Sequence, residues 1–133
     1  MVDYMNLNKL INRIKSINTN IKFIGQFDDN NRRTGYWEKY YDNDNIRSKG
    51  NYVNGRYYGY WEGYWDNGKI LSKGNFLNGK RNGYWEGYYF NGNLSSKGNY
   101  INGNADGYWE YYYENGNLSD KGNYINGVFY EIK

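Results

Sequence analysis

The chain has 133 residues, the size of one ordinary domain, and contains neither Cys nor His. That composition excludes disulfides, thiol nucleophiles and thiolate metal sites, and it removes the usual general base and commonest metal ligand. A net charge of +3, from 17 basic against 14 acidic residues, and a 22% aromatic share that includes 19 Tyr and 5 Trp argue for a folded chain rather than a disordered one.

In chain order, the first predicted element is a helix. Leu7, Leu10, Ile11, Ile14 and Ile17 recur at helical spacing, Lys9 and Arg13 fall off that stripe, and Asp3 or Asn6 is placed to cap it. The pattern predicts a short N-terminal α-helix near residues 5–18, within a capping segment 1–24. Its role is read as covering the first repeat, with docking to a membrane surface or a partner as the alternative. The same stretch lacks the apolar core of a secretion signal and nothing reaches membrane-spanning length, so the expected setting is the cytoplasm.

From residue 25 the sequence is periodic. A half-unit, GQFDDNNRRT (25–34), precedes GYWEKYYDNDNIRSKGNYVNGRYY (35–58), GYWEGYWDNGKILSKGNFLNGKRN (59–82), GYWEGYYFNGNLSSKGNYINGNAD (83–106) and GYWEYYYENGNLSDKGNYINGVFY (107–130), leaving 131–133 as a tail. A gapless period of 24 residues marks a linear repeat architecture. Asn-Gly recurs twice per unit, as at Asn67-Gly68 and Asn78-Gly79, and suits type I′ hairpin turns; Asn43-Asp44 is the weaker version in the first repeat. The prediction is an all-β fold: an elongated, single-sheet antiparallel β-meander of up to eight strands.

Two-residue turns fix a register. Asn67-Gly68 sets Trp65 opposite Ile70, Tyr64 opposite Leu71, Glu62 opposite Lys73 and Trp61 opposite Gly74. Alternation then gives one face Trp61, Gly63, Trp65, Ile70, Ser72, Gly74 and Phe76, with the indole over a glycine, and the other face Tyr60, Glu62, Tyr64 and Lys73. Repetition makes a ladder of Trp37, Trp61, Trp85 and Trp109 on the first face. On the second it makes the pairs Glu38–Lys49, Glu62–Lys73, Glu86–Lys97 and Glu110–Lys121. The apolar face requires a cover, by curling, by another element or by a second copy of the chain.

The order G-x-W, then Tyr, then NG-x-L, then K-G-N-Y-x-NG resembles the MORN repeat, specifically the variant MORN family with its YwqK-type antitoxins, over residues 25–130. Lys39 and Tyr111 depart from the Gly63 and Gly87 of their neighbours. The resemblance implies an elongated β-meander used for binding and scaffolding and, through the antitoxin members, an inhibitory relation to a protein partner. It brings no catalytic residues.

Chemistry on the residues points the same way. Same-column glutamates stand about 9 to 10 Å apart, at or beyond the limit for an inverting glycosidase pair, and their equivalent surroundings do not split acid from base. The glycines recur at turns rather than in a phosphate loop, and Asp42-Asn43-Asp44-Asn45 lacks the rest of a calcium loop, so no cofactor or metal site is expected. Each Lys faces a Glu, which disfavours nucleic acid despite the tyrosines. The expected function is a non-catalytic protein-binding module, an inhibitor of a toxin, effector or defence enzyme, with Tyr60, Tyr64, Tyr84, Tyr88, Tyr108 and Tyr112 as the binding residues. A carbohydrate or cell-wall binder and a dimerising scaffold are the alternatives.

Overall fold

A computed structural model describes residues 22–133, so the predicted helix at 5–18 lies outside the described residues. The strands are β1 (Phe23–Phe27), β2 (Arg33–Tyr40), β3 (Ile46–Val53), β4 (Arg56–Tyr64), β5 (Ile70–Leu77), β6 (Lys80–Tyr88), β7 (Leu94–Ile101), β8 (Asn104–Tyr112), β9 (Leu118–Ile125) and β10 (Val128–Glu131). They form one ten-stranded antiparallel sheet in strict sequence order, roughly 40 Å across at the usual strand spacing. The eight expected strands are β2 to β9; β1, from the half-unit, and β10 extend the meander at its two ends.

The two Asn-Gly turns of each unit differ. At Asn54-Gly55, Asn78-Gly79, Asn102-Gly103 and Asn126-Gly127 both residues have positive φ, as a type I′ turn requires. At Gly68, Gly92 and Gly116 only the glycine is left-handed, and the Gly68 amide donates to the Trp65 carbonyl while the Trp65 amide donates to the Lys69 carbonyl. This is a three-residue connection ending in a glycine bulge, with Asp44 (φ 69°) in the glycine's place in the first repeat. The expected register is therefore corrected near these turns: Glu62 opposes Lys73 and Trp61 opposes Gly74 as predicted, but Ile70 is opposed by Tyr64 rather than by Trp65, and Leu71 is the extra residue instead of Tyr64's partner.

A second irregularity sets the core. Between β5 and β6 the pairing runs Asn75 with Asn82, then Gly74 with Trp85, so Gly83 and Tyr84 are extra on β6. The same two-residue bulge recurs between β7 and β8, where Gly98 meets Trp109. A positive φ at Gly83 (81°) is what lets the strand make this step. Trp85 is thereby brought across Gly74 of the preceding strand, where a Cβ would overlap the indole; Gly25, Gly50 and Gly98 lie the same way under Trp37, Trp61 and Trp109. Each indole Nε1–H also donates to the carbonyl next to that glycine, Gln26, Asn51, Asn75 or Asn99, at 2.9 to 3.1 Å. The indole thus lies over a glycine, as expected, and the glycine is that of the previous repeat rather than the one opposite it in its own hairpin.

No second layer covers these indoles among the described residues, yet Trp37, Trp61, Trp85 and Trp109 are only 1 to 4% exposed. They are closed by rings of their own sheet. Trp37, Tyr52, Trp61, Phe76, Trp85, Tyr100, Trp109 and Tyr124 meet in succession edge to face, with centroids 5.0 to 6.4 Å apart. Such pairs contribute about 0.5 to 1.5 kcal/mol each beyond burial. The margins are stitched as well: Asn43, Asn67 and Asn91 side chains donate to carbonyls of the next repeat's turn, and the Gly55, Gly79 and Gly103 amides donate to carbonyls of the previous repeat.

Gly74→Ala should therefore destabilise the protein by about 1 to 3 kcal/mol, because the methyl and the Trp85 indole compete for one space. Gly63→Ala, whose new Cβ meets the Ser72 Oγ at 3.4 Å and the Arg47 carbonyl oxygen at 4.0 Å, both ordinary contacts, should stay within about 1 kcal/mol of the wild type. Trp85→Ala should cost about 3 to 5 kcal/mol. Urea unfolding of the three variants checks the series, and equal losses for the two glycine variants would contradict the indole-on-glycine contact.

Candidate functional site: the tyrosine face

Opposite the aromatic zipper, each outward strand carries Tyr-x-Glu-x-Tyr. Residues two apart on a strand share a face, so both phenols can reach the carboxylate between them. Tyr60 donates to Glu62 Oε1 at 2.8 Å and Tyr64 donates to Glu62 Oε2; Tyr36 and Tyr40 hold Glu38, and Tyr108 and Tyr112 hold Glu110, in the same way. Tyr88 donates to Glu86, and Tyr84 completes that triplet.

The six expected binding residues thus fall into two groups. Tyr60, Tyr84 and Tyr108 are 49, 48 and 45% exposed, whereas Tyr64, Tyr88 and Tyr112 are half-buried. The difference follows from backbone position. The exposed tyrosines are the second residues of the Gly-Tyr bulges, which lift them from the sheet. Tyr36, 41% exposed, belongs to the same row although it is not among the six expected residues; the GYWE string it shares with the other repeats is the signal for it.

Lysine closes the unit from one side. Glu62, Glu86 and Glu110 do oppose Lys73, Lys97 and Lys121 in the hairpin register. The ion pairs, however, run to the lysine of the preceding strand: Lys49–Glu62 at 3.5 Å, Lys73–Glu86 at 3.8 Å and Lys97–Glu110 at 3.1 Å. The same lysines stand 5.8 to 5.9 Å above the rings of Tyr64, Tyr88 and Tyr112. Each carboxylate bridges two repeats rather than one hairpin.

These contacts fix the charge states. Hydrogen bonds from Tyr112 and Tyr108, with Lys97 beside them, lower Glu110 to about 2. Desolvation acts to raise Glu62 and Glu86, but the phenol bonds and lysines outweigh it and both fall below the ordinary value. Tyr60 is raised to about 12, by desolvation first and then by its bond to Glu62, and desolvation also raises Tyr64, Tyr84 and Tyr88. At Glu62, Glu86 and Glu110 the face presents ionised carboxylates engaged by two phenols and a lysine each, beside phenols that keep their protons.

A single sheet of stacked hairpins with one zipped and one polar aromatic face defines a tandem hairpin-repeat protein. The sequence pattern of the MORN repeat variant matches residues 33–54, 57–78, 81–102 and 105–126, one match for each of the hairpins β2–β3, β4–β5, β6–β7 and β8–β9. The chain belongs to the MORN repeat variant family. No curated protein matches it.

The pH dependence of stability follows from the triplets. Carboxylates lowered by folding stabilise the protein above about pH 4.5, and that contribution is lost as the pH falls toward about 2. Phenols raised by folding stabilise it below about pH 10, and that contribution is lost as the pH rises through about 12. Melting temperature should thus be level between about pH 5 and 9 and fall on both sides. Glu110→Gln should flatten the acid limb, which thermal melts across the range will read.

Proposed function

We propose that this chain is a non-catalytic protein-binding module of the cytoplasm whose tyrosine face occupies a partner protein and antagonises it, the partner being a toxin, effector or defence enzyme. The observation that carries this reading is the row Tyr36, Tyr60, Tyr84 and Tyr108, between 41 and 49% exposed, in which the phenols of Tyr36, Tyr60 and Tyr108 are aimed by a glutamate at 2.8 Å. Rings already held in one orientation lose little entropy on binding, and Tyr supplies large contact area with a polar tip. Their phenol oxygens retain acceptor capacity for partner N–H groups.

The carboxylates support the non-catalytic reading. A general acid needs a raised pKa and a free path to substrate. Glu62, Glu86 and Glu110 have lowered values and are engaged by two phenols and a lysine each. Antagonism is read from the resemblance to the antitoxin members of the family, and the tyrosine row runs across strands β2, β4, β6 and β8.

Affinity capture from the native host, with the wild type and a Tyr60→Ala/Tyr84→Ala/Tyr108→Ala variant as paired baits, tests the proposal. A protein retained by the first and lost by the second, whose own activity falls on adding the wild type, is the expected result. In titrations with that protein, Tyr84→Ala should weaken binding by about 2 kcal/mol with the fold intact, and Tyr88→Ala should act through the loosened Glu86. Equal capture by both baits, or binding to glycans alone, would reject the tyrosine face as a protein-binding surface.

A further inference from the structure

The β2–β3 hairpin departs from the later ones in a concerted way. Its Arg33, Lys39 and Arg47 stand where β4–β5 has Tyr57, Gly63 and Leu71, β6–β7 has Arg81, Gly87 and Ser95, and β8–β9 has Ala105, Tyr111 and Ser119. Of these four hairpins, β2–β3 alone combines three cations at these positions. The structure gathers them around one cavity at the β1–β3 end of the sheet, whose walls also include Phe23, Phe27 and Trp37.

These cations are propped on aromatic rings. The Arg33 guanidinium lies 5.2 Å from the Trp37 ring and 5.5 Å from that of Tyr52, and it donates to the Tyr52 hydroxyl at 3.3 Å. Lys39 Nζ is 5.7 Å from the Tyr52 ring, and the Arg47 guanidinium is 5.6 Å from Tyr41. Lys22, on the same rim, pairs with Asp44 at 2.5 Å, and Asp42 is the carboxylate that lines the cavity itself. Burial holds Lys39 below the ordinary lysine value, Tyr57 opposes, and the charges of Arg33 and Arg47 depress it further. Positive charge exceeds negative here, beside apolar rings of which Phe27 is 40% exposed.

We propose that this cavity is a docking site for an acidic segment of a partner protein, its carboxylates taken by Arg33, Lys39 and Arg47 and an adjoining apolar side chain set against Phe23 and Phe27. Guanidinium groups match carboxylates as two-pronged donors, and a mixed apolar and cationic wall fits a peptide that alternates acid with hydrocarbon better than a bare anion. By sequence, residues 1–21 hold one carboxylate, Asp3, against Lys9, Arg13 and Lys15, so the acidic segment sought here is not in that stretch. The inference extends the protein-binding reading to a second surface and needs none of the tyrosine row.

The test titrates the full chain against a labelled ten-residue peptide of Glu pairs separated by Leu, and against the same peptide with Gln for every Glu. Binding of the Glu peptide should fall at least about tenfold between about 50 and 300 mM salt, and the Gln peptide should not bind. Arg33→Tyr/Lys39→Gly/Arg47→Leu installs the residues with which the β4–β5 hairpin folds, so it should keep the unfolding midpoint and lose the peptide. Lys39→Gly alone should weaken binding measurably. Tyr60→Ala/Tyr84→Ala/Tyr108→Ala should bind the peptide as the wild type does, which separates failure of this site from failure of the tyrosine face. Equal binding of the Glu and Gln peptides, or full binding by the triple variant, would overturn the proposal. So would displacement of the peptide by millimolar inorganic phosphate or by anionic lipid vesicles, which would reassign the cavity to phosphate.

Discussion

Everything in this sheet depends on an indole lying flat on a glycine of the preceding strand. One layer of β-structure has no partner layer against which to bury side chains, so burial must be found within the plane. A Trp ring laid over a residue without a Cβ achieves this: Gly25, Gly50, Gly74 and Gly98 provide floors and Trp37, Trp61, Trp85 and Trp109 fill them. The Nε1–H bond to the adjacent carbonyl removes the one polar atom that would otherwise be stranded. Rings from neighbouring strands then close the exposed edges, and the sheet becomes its own core.

The contact has a direction, and the ends of the array follow from it. Each Trp leans on the strand before it, so the first full repeat requires a glycine supplied from outside itself, and Gly25 of the half-unit supplies it to Trp37. At the far end, Gly122 has no following Trp. A Cβ there would meet the Tyr130 carbonyl and the Phe129 ring, so β10 closes the last floor with backbone and a smaller aromatic. Tyr111 adds to that closure by stacking on Trp109 and hydrogen-bonding the Tyr124 hydroxyl at 2.7 Å. The departures from Gly63 and Gly87 at Lys39 and Tyr111 thus fall in the first and last repeats.

The sequence made the meander, the faces and the central register legible because alternation and Asn-Gly spacing act locally. It did not reveal which neighbour each side chain chooses. Trp61 is in register with Gly74 yet covers Gly50, and Glu62 opposes Lys73 yet pairs with Lys49. In a periodic chain both choices satisfy the same pattern, and only three-dimensional packing separates them. The Gly83-Tyr84 bulge and its equivalents were hidden for a related reason: they shift the register by an even number, which leaves the faces on either side of them unchanged, whereas the single extra residue Leu71 pairs Ile70 with Tyr64 instead of Trp65. Asn-Gly proved ambiguous because Asn67 serves by its side chain, accepting from the Lys69 amide, where Asn78 serves by its positive φ.

The same bulges link the core to the surface chemistry. A two-residue step that carries Trp85 over Gly74 raises Tyr84, its immediate neighbour, on the other face, so the exposed row is a by-product of seating the indoles. That row is nearly identical from repeat to repeat, and at Glu62, Glu86 and Glu110 the charge of the triplet is cancelled by its lysine. A partner sliding by one repeat would find almost the same tyrosines, so the row can supply contact area but not a unique position. Register along the array has to come from what is not repeated. In this chain the cations Arg33, Lys39 and Arg47 mark one end and Tyr111 with its hydroxyl pair marks the other, and recognition that uses either end together with the tyrosines is placed to the residue rather than to the nearest multiple of twenty-four.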